Sequence, residues 1–186
     1  MNTFKTTLFL ASIATMSLVG CHKDDVHDDD ENELITTVNL KFSEQGTTNT
    51  LTFSWRDTDG DGGAAPTIQP VQLRANRTYK LDVEFLNESV MPAENKTNEV
   101  KEEADEHLVV YTANPSSLLT YTAGDKDSRN LAIGLTGSAR TGAAGTGTLR
   151  VQLRHQPPAS GTPTKNGTAT PGSDDVNASF SLTVVQ

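Results

Sequence analysis

Two groups of side chains in this sequence could hold a metal ion. The first is Glu102-Glu103-Ala104-Asp105-Glu106-His107, in which an acidic run ends on a histidine. A second histidine, His155, closes the alternating run Leu149, Val151, Leu153 and shares its inward side. Imidazoles at two strand ends, with a carboxylate beside one of them, suit zinc or copper if those ends are neighbours. His107, His155 and Glu103 are then the candidate ligands. The plainer reading sets each histidine at the rim of a sheet with one hydrogen bond, and makes the glutamates a solvated helix face. The second group is Asp57-Thr58-Asp59-Gly60-Asp61-Gly62. Carboxylates at alternate positions before a glycine form the first half of a calcium loop, with Asp57, Asp59 and Asp61 as ligands. The second half is missing, because the bidentate glutamate of such a loop would fall at Ile68. The plainer reading is a Gly/Asp-rich hairpin loop. Asp125 and Asp127 make a further acidic turn. No H-E-x-x-H and no nucleophile elbow is present, so the expectation is a protein that is not an enzyme.

The elements that must position these residues are short alternating runs. Val38-Leu40-Phe42, Leu51-Phe53-Trp55, Leu81-Val83-Phe85, Leu131-Ile133-Leu135, Leu149-Val151-Leu153 and Phe180-Leu182-Val184 each place apolar residues at every second position. Period two with one apolar face predicts half-buried strands. Shorter candidates are Val71 to Leu73, His107 to Tyr111 and Leu118 to Tyr121. Turn residues separate the runs, among them Gly46, Asn76, Asn114-Pro115 and Gly124-Asp125. The spacing predicts an all-β fold, an immunoglobulin-like sandwich of about eight or nine strands. One short helix is expected near 98–105, started by Thr97 or Asn98, with Val100 and Ala104 on one face. The stretch from Gln156 to Asp175, rich in Pro, Gly, Thr and Ser, reads as a mobile excursion between the last two strands.

Ahead of this domain, Leu18-Val19-Gly20-Cys21 closes an apolar run that starts after Lys5, and Cys21 is the only cysteine of 186 residues. The arrangement resembles the lipobox of bacterial lipoproteins. That resemblance implies that residues 1–20 are a signal peptide, that Cys21 is acylated, and that lipid holds the chain to the membrane. Residues 21–33 then form an acidic tether with seven carboxylates and almost nothing to bury. Residues 34–186 are the sandwich domain. Cys21-x-Lys23-Asp24-Asp25 is similar to a lipoprotein export signal of certain Gram-negative bacteria. It implies an outer-membrane lipoprotein displayed on the cell surface, with the periplasmic face as the alternative.

The chain has a formal net charge of −9, and most of it lies on the tether. An acidic chain argues against nucleic acid as a partner, because phosphates repel it. Aromatic residues make up only 5 % of the chain, in keeping with a secreted, turn-rich β domain.

Phe85-Leu86-Asn87-Glu88-Ser89, the Asp59 to Gly63 turn, Glu102 to His107 and Gly145-Thr146-Gly147-Thr148-Leu149 resemble a group of small bacterial lipoproteins. The group is often assigned to the type 1 periplasmic-binding-fold superfamily. That assignment implies a larger α/β fold, whereas the strand pattern here implies all-β, and the fold expectation follows the pattern. The resemblance also implies a gene neighbourhood that includes a TonB-dependent outer-membrane receptor. The functional expectation is a non-catalytic accessory module that binds a metal (zinc, copper or calcium) or a metal complex for such a receptor. The alternative is a structural or adhesive surface lipoprotein without a small ligand.

Overall fold

A computed structural model describes residues 33–60 and 63–186. The signal segment, Cys21, most of the tether and Asp61 therefore lie outside the described residues. Eleven strands and one helix follow in order: β1 (Thr37–Glu44), β2 (Thr50–Arg56), β3 (Thr67–Ile68), β4 (Val71–Arg74), β5 (Thr78–Asn87), β6 (Glu94–Asn95), α1 (Thr97–Glu102), β7 (His107–Asn114), β8 (Leu119–Ala123), β9 (Thr136–Thr141), β10 (Gly145–His155) and β11 (Ser173–Val185). One sheet has the order β3-β2-β1-β5-β9-β8, with β6 added to β5, and the other has the order β4-β11-β10-β7. All pairs are antiparallel except β4 on β11. The all-β sandwich expected from the alternation is thus present. The count exceeds nine because two-residue ribbons such as β3 and β6 carry no periodic signal.

The core is built where the alternation placed it. Val38, Leu40 and Phe42 of β1 and Leu81 and Phe85 of β5 face Leu149, Val151 and Leu153 of β10 and Phe180 and Leu182 of β11, all essentially inaccessible to water. Each such side chain contributes about 1.5–3 kcal/mol by leaving water, and a sheet with one apolar face needs this second layer to gain it. Phe42 packs edge-on against Tyr79 with ring centres 5.9 Å apart.

Three expectations are corrected. Leu131-Ile133-Leu135 does not form a strand; it crosses between the sheets. The Ile133 carbonyl accepts from Val109 N of β7, and the Leu135 carbonyl accepts from Val83 N of β5. The carboxylate of Asp125 holds it there by accepting from the backbone N–H groups of Gly134, Leu135 and Thr136. The strand itself is β9, whose small residues hid it. Any side chain on Gly137 would collide with Tyr121, which fills that space. The short helix expected near 98–105 is present as Thr97–Glu102, and only its cap differs. Thr97 does not cap it: its hydroxyl accepts from Phe85 N and so ties the helix to β5. Val100 is buried, as its spacing implied. The connection from Gln156 ends at Gly172, before β11, and although most of it is exposed it folds back far enough to bury Lys165 and Gln156.

Candidate functional site: a histidine stack ringed by carboxylates

His107 opens β7, His155 closes β10, and the two are direct cross-strand partners. His155 keeps the inward parity of Leu149, Val151 and Leu153, so both rings point into the end of the core. They stack with centroids 4.9 Å apart and planes 10° apart. His107 is completely buried and His155 nearly so. The two histidines singled out in the sequence are thus neighbours.

Their surroundings are carboxylates. His107 Nδ1 lies 3.2 Å from the backbone carbonyl of Glu103 and 4.0 Å from its carboxylate. On its other side, Nε2 lies 3.5 Å from Oδ2 of Asp175, a side chain as buried as the imidazole itself. Nε2 of His155 lies 3.8 Å from Glu106. Burial works to lower the His107 pKa, but the Asp175 carboxylate and the Glu103 carbonyl and carboxylate outweigh it, so the net shift is upward. The ring lies between the end of α1, the start of β7 and the start of β11. No face of His107 is open to solvent.

This packing is not a chelate. An imidazole binds a metal through a lone pair in its ring plane, at about 2 Å. Two nearly parallel rings direct those lone pairs along separate planes. Among the described residues, no group of three or more His, Cys, Asp or Glu side chains is arranged to hold a metal ion. The other candidate set is divided. Asp57 and Asp59 spend their carboxylates on their own loop, accepting from Gly60 N at 3.1 Å and Ala64 N at 2.8 Å, while Asp61 lies outside the described residues. The described part of this loop is a hairpin connection between β2 and β3.

Beside the histidine stack lies an ion pair that sequence reasoning missed. Lys165 Nζ sits 2.9 Å from Asp127 Oδ2, with both side chains fully buried. Lys165 also donates to the Ala104 carbonyl at 2.7 Å. Asp127 Oδ1 accepts from Arg129 N at 3.0 Å and Leu131 N at 2.8 Å. Arg129 completes the cluster, donating to the carbonyls of Lys165 and Asp105. Asp127 was visible in sequence as an acidic turn. Lys165 was not: a lone lysine in a polar connection looks the same whether it is solvated or buried.

The chain enters the domain at this same end. Glu33 N donates to Asp175 Oδ1 at 3.1 Å, and the Glu33 carboxylate lies 3.1 Å from Lys96 Nζ. Lys96 also pairs with Glu99 at 2.8 Å, and these hydrogen bonds hold its ammonium well above the usual lysine range against the opposing effect of burial. Comparison of the chain with protein-family models, with curated proteins and with solved structures finds no match.

Proposed function

We propose that this chain is a lipid-anchored, non-catalytic binding module of the outer membrane, acting as an accessory to a TonB-dependent receptor. The observation that carries the reading is the join between tether and domain. Glu33, twelve residues after Cys21, is tied to Asp175 and Lys96 at the histidine end of the sandwich. A lipid on Cys21 would attach the domain through its histidine end and leave the far loops and the outer sheet faces for partners. At about 3.3 Å per residue, the intervening tether reaches roughly 40 Å, enough to clear lipid headgroups. The carboxylates around the histidines hold the anchored end together, and ligand recognition is assigned to the outer surfaces. Three measurements test the reading. Clickable palmitate should label the wild-type chain in cells and leave Cys21→Ser unlabelled. External protease should cut the protein on intact cells. Cross-linking in membranes should recover a TonB-dependent receptor; recovery of matrix glycans without a receptor would favour the adhesive alternative, and an unlabelled wild-type chain would defeat the anchor.

A further inference from the structure

The sheet of β4, β11, β10 and β7 buries one face in the core and turns the other to solvent. On that outer face the register places Arg150 at the centre, with Thr112 of β7 on one side and Ser179 of β11 on the other. Thr148 precedes it on the same side of β10, and Asn114 pairs with Thr148. With Ser116 these side chains line a groove of about 480 Å³, within the range of small-molecule sites.

Among the described residues, the arginine in this groove has no carboxylate within 4 Å. Arg56, Arg74, Arg77, Arg129 and Arg154 each lie within 4 Å of an acid. Among the described residues Arg150 makes no such pair, and neither does Arg140, which lies in the other sheet on β9 away from this groove. Of the two acids on the neighbouring strand, Asp174 is taken by Arg154 at 2.5 Å and Asp175 is buried beside His107. An exposed, unpaired guanidinium in a chain of net charge −9 is a local positive site on an acidic protein. Its N–H fork matches the two oxygens of a carboxylate or sulfate. The flanking groups select further: each hydroxyl donates one hydrogen bond and accepts others, and the amide of Asn114 does both. Ala113 is the only apolar side chain lining the groove, so it presents nothing on which a nucleobase or an aromatic side chain could stack. A ligand with one oxyanion and many hydroxyls satisfies what the groove offers.

We propose that this groove binds an anionic saccharide, with Arg150 gripping the acid group and Thr112, Asn114, Thr148 and Ser179 taking the ring hydroxyls. The inference stands on the sheet geometry and does not depend on the lipid anchor or a receptor.

The test is calorimetric titration of the full chain in detergent with three probes of related ring chemistry: oligogalacturonate, a sulfated galactan oligosaccharide and a neutral galactan oligosaccharide. At least one acidic probe should bind with Kd of about 0.1–1 mM, with the neutral probe about tenfold weaker or worse. Which acidic probe binds tells carboxylate from sulfate. Arg150→Gln should lower affinity by about tenfold or more, and Arg150→Lys by less, because it keeps the charge and loses the fork. Ser179→Ala should cost about two- to fivefold. These side chains face solvent, so the melting temperature should not move. Failure of both acidic probes to bind at about 10 mM would overturn the proposal. So would an unchanged affinity in Arg150→Gln. An equal loss in Lys41→Gln, on the opposite sheet, would do the same by showing attraction to overall charge.

Discussion

Lys165→Met removes the ammonium of the buried ion pair and keeps most of the apolar stem. Two groups lose a partner. Asp127 keeps its two backbone N–H donors but loses the cation 2.9 Å from Oδ2. Arg129, 3.9 Å from the same oxygen, cannot fully replace it. The Ala104 carbonyl loses the donor at 2.7 Å. A charge-assisted contact contributes about 1.5–3 kcal/mol, and an orphaned buried acceptor costs about 1–3 kcal/mol. Together they indicate a loss of about 3–5 kcal/mol, the range expected when one member of a buried pair is deleted. A domain of ordinary stability, about 5–15 kcal/mol, survives this in a measurable form. Urea unfolding followed by tryptophan fluorescence should show a midpoint lowered by about 1–3 M at an unchanged slope. Asp127→Asn should also destabilise, by leaving an ammonium buried without its counter-charge. The double variant should be less damaged than the sum of the singles, with a coupling of about 1–3 kcal/mol. Acid provides an independent reading. Burial tends to raise the Asp127 pKa, but Lys165 and the backbone N–H groups bring it below the usual carboxylate value. The stability from this group is therefore present above about pH 4, the unfolded value, and lost as pH falls through the folded one. Asp127→Asn should flatten that limb. A Lys165→Met loss under about 1 kcal/mol, or strict additivity of the two singles, would show that the pair does not hold the 156–172 connection in place.

His107 has the opposite sign. Its folded pKa is raised, so its contribution is complete below about pH 6.5 and is lost as pH rises through the folded value; Asp175→Asn should remove that slope in urea midpoints measured from pH 5 to 8. Asp125→Ala frees three backbone N–H groups of the crossing segment and should cost about 2–4 kcal/mol by thermal melting; a loss within experimental error would mean the segment is held elsewhere. Gly134→Ala places a methyl 2.6 Å from the Val109 carbonyl at a φ of +93°, which should cost about 2 kcal/mol or more. A near-neutral melting temperature there would show that β7 yields.

The alternation of Val38 to Phe42, Leu81 to Phe85, Leu149 to Leu153 and Phe180 to Val184 determined the all-β class and most of the core. That is local information: a period of two can bury only one face, and one buried face demands a second sheet. The helix position and the burial of Val100 were legible for the same reason. His107 and His155 were legible as strand ends, because parity assigns each an inward direction. The sequence could not say that the rings would stack and not converge, since that depends on the register between β7 and β10. It also could not reveal Asp175 as the partner of His107, or Lys165 as the partner of Asp127. Those contacts join residues 68 and 38 positions apart, and nothing in either local stretch marks them. Gly137 and Ala139 concealed β9 because small residues there reflect the space taken by Tyr121, a fact of packing. Arg150 shows the same division. Its outward direction follows from alternation with Leu149 and Val151, but its lack of an acid partner emerges only when β7 and β11 are laid beside it.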